Sequence, residues 1–296
     1  MENEINLGIL NGHAAALIFK ELMRRALATI RGQRAIFETT QKADRSGDMT
    51  DVCTTADTLA QEIYKKGLLE SFPTFGIIGE ENLHVEPAKG ENSYFTVDPL
   101  DGTKAFTRRQ STGVGTMFSL VVDGEIISAY VGDVFTNEIY GYRPGSDHVH
   151  RITDFNDAER LTHVRPHDPL KSHMLLRDPL DKYSELAQNF VLSNFKSHEV
   201  GGGSIGIWMA RLWKREVACV IMPPGGGTPW DTTPIVGISQ KLGYVFLRPS
   251  TIDPGKWEAY EPPLYTGEGD RNHDTLIVHI NDMRSVGLGE TLDVAA

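Results

Sequence analysis

The stretch YFTVDPLDGTKAF, residues 94–106, constrains this chain most. Tyr94, Phe95, Thr96 and Val97 are aromatic or β-branched, which predicts a short buried strand. Pro99 has no N–H to give to a ladder, so the strand is expected to end at Asp98-Pro99 and the chain to turn there. Asp101-Gly102 tightens that turn. Asp98 and Asp101 are then presented at the end of a rigid strand, with the Thr103 hydroxyl beside them. Oxygen ligands three residues apart on a turn suit a hard divalent cation such as magnesium. Alone, Asp-Pro is most often an ordinary polar turn, so the rest of the chain decides.

Helical spacing of Leu10, Leu17, Ile18, Leu22, Met23, Ala26, Leu27 and Ile30 predicts a helix over 9–30. A short helix or strand is expected before Asp44, and a polar loop or hairpin over 44–54. Thr54-Thr55-Ala56-Asp57 opens a helix that Pro73 ends, with Thr55 or Asp57 as its cap. Residues 75–79 read as a buried strand, followed by the adjacent carboxylates Glu80 and Glu81, then a polar loop over 84–93. Residues 116–142 predict three antiparallel strands, with Asp123-Gly124 as a hairpin turn. The polar stretch 145–170 marks a crossing into a second half, so an α+β half over 1–150 and an α/β half over 151–296 are expected.

In the second half, strands are expected at 173–176, 217–222, 244–247 and 275–280. Helices are expected at 180–195, 205–214 and 230–242, with Gly243 as a C-terminal signal. Gly225-Gly226-Gly227 lacks a P-loop sequence and reads as a flexible turn. Residues 249–272 read as loops.

Composition excludes several classes. The net charge of −11 opposes non-specific binding to nucleic acid or anionic membranes. The two cysteines, Cys53 and Cys219, lack CxxC spacing, which argues against a disulfide scaffold or zinc site. Among the ten histidines, His148/His150 have HxH spacing and His163/His167 have HxxxH spacing, but none is read as a metal ligand. MENEINLGIL begins acidic, without a basic region or long apolar run, so a cytoplasmic protein is expected.

Gly79-Glu80-Glu81, Asp98-Pro99-Leu100-Asp101-Gly102-Thr103 and Trp230-Asp231 each put a carboxylate at a strand end or helix start. With Thr54-Thr55-Ala56-Asp57 upstream, their order and spacing over 42–243 resemble the inositol monophosphatase superfamily of magnesium-dependent, lithium-sensitive phosphatases. The resemblance implies a five-layered αβαβα sandwich, of mixed α+β and α/β character, that works as a cytoplasmic homodimer on a small phosphate ester. It implies two or three Mg²⁺ ions held by Glu80, Asp98, Asp101, Asp231 and the Leu100 carbonyl, with Asp98 bridging two of them. Asp57, Glu80 and Thr103 are the implied catalytic residues, Asp57 and Thr103 together orienting and deprotonating the attacking water. Substrate contacts fall on Gly102, Thr103, Lys104, Ser204 and Asp231.

The chemistry agrees with such roles. Four carboxylates gathered in one site repel each other unless cations neutralise them. Phosphomonoester hydrolysis needs an activated water and neutralised oxyanion charge, which paired cations supply. Lys42, Arg108 and Arg109 are basic candidates near the site, each with solvent exposure as the plain alternative.

The substrate half departs from the inositol-specific branch. That branch has a glutamate seven residues before the Trp-Asp aspartate; here the position is Pro224. Trp208 stands near a place where that branch has small residues, and is expected to add an apolar wall. The open substrates are therefore inositol phosphates, adenosine 3′,5′-bisphosphate, histidinol phosphate and sugar phosphates. The alternative of a catalytically silent metal- or phosphate-binding regulator would be favoured by loss of a ligand or of Thr103, and none is lost.

Overall fold

The computed structural model describes residue 7 and residues 10–42, 49, 51–162, 173–253 and 255–288. The chain is mixed α/β and divides into two compact units. The first comprises Met1–Arg160 with two returning segments, Gly203–Ile207 and Pro229–Ile238; the second comprises Leu161–Gly202, Trp208–Thr228 and Ser239–Ala296. A single boundary near residue 150 does not describe this, because the stretches carrying Ser204 and Asp231 belong to the first unit.

In the first unit, helix α1 (Gly12–Gln33) is capped by the Asn11 side chain, which accepts from the N–H groups of His13 and Ala14. Its apolar stripe is buried at Phe19, Leu22, Met23, Ala26, Leu27 and Ile30. The hairpin β1 (Thr39–Lys42) and β2 (Asp51–Thr54) leads into α2 (Thr55–Ser71). Strands β3 (Gly76–Gly79), β4 (Leu83–Val85) and β5 (Ser93–Asp101) precede the short α3 (Thr103–Thr107). Then come β6 (Gly115–Val122), β7 (Glu125–Asp133), β8 (Ile139–Tyr142), β9 (His150–Ile152) and β10 (Ala158–Arg160). The eight-stranded sheet runs β10-β9-β8-β7-β6-β5-β3-β4. Phe19 packs edge-on against Phe95 and Phe118 of this sheet, which ties α1 to its centre. Asp123 and Gly124 both have positive φ, 50° and 82°, as the tight hairpin turn between β6 and β7 requires.

In the second unit, β11 (His173–Leu176), α4 (Glu185–Asn194) and β12 (Ser197–Val200) are followed by α5 (Ile205–Trp213), whose first turn lies in the first unit. Strands β13 (Cys219–Met222) and β14 (Gly225–Gly227) lead to α6 (Pro229–Lys241), which begins in the first unit. Strands β15 (Tyr244–Pro249), β16 (Trp257–Ala259), β17 (Gly269–Arg271) and β18 (Thr275–His279) follow. Six of these strands form a sheet in the order β12-β11-β13-β18-β15-β16, and β14 pairs with β17.

Several expectations change. Pro99 does not end its strand; β5 continues to Asp101 through a bulge. Gly225–Gly227 is a paired strand rather than a free turn, with Tyr265 lying where a Cβ on Gly227 would sit. Two strands, β16 and β17, occupy the expected loop region 249–272, and β9 and β10 lie in the stretch 145–170. These strands are three residues each, too short to show a period-2 pattern in sequence. Much of the loop expected at 44–54 and the later part of 145–170 fall outside the described residues.

Candidate active site

The site is built on the bulge in β5. Asp98 pairs with Met117 of β6, whereas Asp101 pairs with Gly115, so β5 spends three steps where β6 spends two. On a regular strand, residues three apart point to opposite faces. The extra residue removes that alternation and lets Asp98 and Asp101 converge. The bulge also explains Pro99, since an unpaired position needs no N–H. β3 runs parallel to β5, so Glu80, just past its end, reaches the same end of the sheet; its N–H donates to the Val97 carbonyl at 3.2 Å.

Asp98, Asp101 and Asp231 each offer a carboxylate oxygen within 4.8 Å of the others. Asp231 comes from the first turn of α6, where a negative charge is favoured by the helix dipole. Asp98 is 2% exposed, and its Oδ1 accepts from the Leu100 N–H at 2.9 Å. Burial, with Glu80, Asp101 and Asp231 close by, pushes the Asp98 carboxyl well above the usual range. Burial pushes Glu80 up to about 8, against the opposing pull of Lys42.

Asp101 is held by the start of α5. Its Oδ1 accepts from the Ile205 N–H at 3.0 Å, and its Oδ2 from the Gly206 N–H at 2.8 Å and the Ser204 hydroxyl at 2.5 Å. The approach requires glycine at 206, where a Cβ would come within 2.8 Å of Val131. Ser204 was expected to touch substrate. Its hydroxyl donates to Asp101 and accepts from Ile207 N–H, and its own N–H donates to the Gly113 carbonyl. Fully buried, Ser204 orients Asp101.

Asp57 combines two roles. Thr54 is the N-cap of α2, and Asp57 closes a capping box from the third helical position. Asp57 Oδ2 accepts from the Thr54 N–H at 2.7 Å and the Thr54 hydroxyl at 2.5 Å. Its Oδ1 faces Thr103 Oγ1 at 3.2 Å, and the same hydroxyl lies 3.1 Å from the Leu100 carbonyl. Burial pushes Asp57 up to about 6 although both Thr54 bonds oppose it. Gly102 sits at φ 91°, and a Cβ there would come within 2.3 Å of the Gly113 carbonyl, so only glycine makes this turn into α3.

The basic candidates separate. Lys42 Nζ donates to Glu80 at 2.9 Å and Glu81 at 2.7 Å. Those carboxylates raise its pKa although burial alone would lower it. Lys104 is exposed and stands 3.9 Å from Asp51. Arg108 and Arg109 are exposed, Arg109 at a positive φ of 56°. Trp208 is 3% exposed, packs on Gly201 and donates to the Leu176 carbonyl within the second unit, so it is a core residue and no substrate wall. Sequence reasoning missed the Ser204–Gly206 clamp on Asp101. Its signal was Ser204 as a helix cap, and its partner was too distant in sequence to guess.

The donor set suits a divalent cation. It is all hard oxygen. Burial first, and then the neighbouring carboxylates, push Asp98 and Glu80 upward, so a bound cation would favour their ionised forms.

Residues 14–280 match the inositol monophosphatase family. Among curated relatives, an inositol-1-monophosphatase of Rhizobium meliloti is 33% identical over 93 residues, covering 30% of this chain and 33% of its own length. The human 3′(2′),5′-bisphosphate nucleotidase 1 is 30% identical over 125 residues, covering 34% of this chain and 39% of its own. The chain thus spans between a third and two fifths of the length of these relatives. The solved structure of a Thermotoga maritima IMPase superposes with a TM-score of 0.68 at 16% identity, covering 92% of this chain and 94% of that one, which establishes a shared fold.

Proposed function

The chain belongs to the inositol monophosphatase family, and we propose that it is a magnesium-dependent phosphatase of a small soluble phosphomonoester. The observation that carries this reading is the convergence of Asp98, Asp101 and Asp231 within 4.8 Å of one another, beside the Thr103–Asp57 pair. Glu80, Asp98, Asp101, Asp231 and the Leu100 carbonyl would hold two or three Mg²⁺ ions. When bound, these supply Lewis acidity to the phosphoryl oxygens and lower the pKa of water. Thr103 accepts a proton from the attacking water as its own hydroxyl proton moves toward Asp57 Oδ1. Asp57 is prepared for this because its other oxygen is fixed in the α2 cap. The N–H groups of Gly102 and Thr103 serve the substrate phosphate, and Lys104 adds charge near it. Asp101 is kept in place by Ser204, Ile205 and Gly206.

The acidic net charge of −11 supports a small-molecule substrate rather than nucleic acid. No helix among the described residues is long and apolar enough to cross a membrane. A cytoplasmic homodimer inhibited by lithium completes the reading. Purified protein should release phosphate from an ester panel with Mg²⁺, lose that activity in EDTA and regain it on adding Mg²⁺. Asp98→Asn should nearly abolish turnover in a folded protein. Undiminished hydrolysis in chelator rejects the reading.

A further inference from the structure

The Asp98 carbonyl accepts a hydrogen bond from Thr116 Oγ1 at 3.0 Å, and Thr116 Oγ1 lies 2.9 Å from the Tyr64 hydroxyl. A hydroxyl has one proton to give. That of Thr116 is committed to Asp98, so Tyr64 is the donor in the second bond. Met23 Sδ, 3.4 Å from the same phenol, is a weaker acceptor for its proton. Tyr64 and Thr116 are fully buried and Asp98 is 2% exposed, so water does not replace these bonds.

The position of this chain of bonds matters. The bulge disturbs the ladder just beyond Asp98, and at that point the carbonyl takes a side-chain donor from the neighbouring strand. Tyr64 lies on α2, seven residues after Asp57, which is close to two helical turns on the same face. One helix therefore supports the site twice: Asp57 meets Thr103, and Tyr64 reaches the bulge through Thr116. A valine at 116 would have nearly the same shape and lack the donor. The hydroxyl is thus a specific element at a fully buried strand position between Gly115 and Met117.

We propose that Thr116 and Tyr64 are positioning residues that hold the β5 bulge, and with it Asp98, in the geometry that takes up a divalent cation. This rests on the reading of Asp98 as a metal ligand.

Isothermal titration of the full chain with Mg²⁺, without substrate, tests the proposal. Thr116→Val should weaken Mg²⁺ binding by about tenfold or more, the usual scale for partners that orient a ligand. Thr116→Ser should restore affinity to within about twofold, because it returns the donor. Tyr64→Phe should weaken binding less, and the double variant Tyr64→Phe/Thr116→Val should bind no worse than Thr116→Val, since both act through one bond. Circular dichroism and the melting temperature in EDTA identify any variant that fails to fold; should Thr116→Val fail, Tyr64→Phe and Thr116→Ser carry the test. Mg²⁺ affinity equal to wild type in a folded Thr116→Val or Tyr64→Phe protein, with binding lost in Asp98→Asn, overturns this proposal alone. Wild-type protein that binds no Mg²⁺ overturns the proposed function and this inference together.

Discussion

Thr103 Oγ1 lies 3.2 Å from Asp57 Oδ1, the oxygen that faces away from the two Thr54 bonds held by Oδ2. The cap prevents the carboxylate from turning, so the acceptor for the Thr103 proton is defined in place. Thr103→Ala should lower kcat by about two to four orders of magnitude, the scale of a positioned acid–base group, with a smaller change in KM. Thr103→Ser should keep most of the rate. A Thr103→Ala enzyme with normal kcat and a raised KM would assign the hydroxyl to binding instead.

Metal dependence should itself depend on pH. Asp57 is raised to about 6 and Glu80 to about 8, both chiefly by burial. A carboxyl raised on folding adds stability that is fully present below its unfolded pKa and is lost as pH rises through the folded value. The metal-free protein should therefore lose stability between about pH 4 and pH 8, Asp57 alone accounting for something on the order of 3 kcal/mol. Bound Mg²⁺ favours the ionised carboxylates and reverses the loss. The rise in melting temperature on adding Mg²⁺ should be larger at pH 8.5 than at pH 5.5; equal rises at both would contradict the charge assignment.

Ser204 joins helix α5 to Asp101. Ser204→Ala removes an N-cap hydroxyl, which costs about 1 kcal/mol, and takes a donor from Asp101 while the Ile205 and Gly206 N–H groups remain. The melting temperature should fall by about 2–4 °C, and Mg²⁺ affinity should fall as well. A drop in melting temperature with unchanged Mg²⁺ binding would leave Ser204 a helix cap only.

Substrate preference should follow the loss of an acidic group before Asp231. The stretch 217–230 contains no Asp or Glu, and Pro224 is exposed beside β14. A diol left without its acceptor costs roughly 1–3 kcal/mol, or one to two orders of magnitude in affinity. Glu199 is committed to Arg211 and His173 within the second unit. Myo-inositol 1-phosphate should therefore be a poorer substrate than histidinol phosphate or adenosine 3′,5′-bisphosphate. Side-by-side kcat/KM values settle the order, and a tenfold advantage for the inositol ester would refute it.

What was readable in the linear chain was local. The stripe of α1, the Asp123-Gly124 hairpin and the opening of α2 at Thr54 depend on a few neighbouring residues, and each is found close to its expected place. Candidate ligands were readable because Asp98, Asp101 and Asp231 stand in short, unusual motifs. The three-residue strands β9, β10, β16 and β17 were not readable, since pairing rather than propensity creates them.

The amino-acid sequence by itself determined the kind of chemistry available, because carboxylates, a threonine hydroxyl and glycines at forced turns are properties of single positions. Tertiary structure decided how these groups act. Pro99 sits in a bulge and not at a strand end, Ser204 holds Asp101, and Trp208 fills a core. Each outcome depends on a partner that local sequence does not name. The 4.8 Å approach of Asp98, Asp101 and Asp231 joins segments more than a hundred residues apart, and only the packing of β5 and α6 within one folded unit sets that distance.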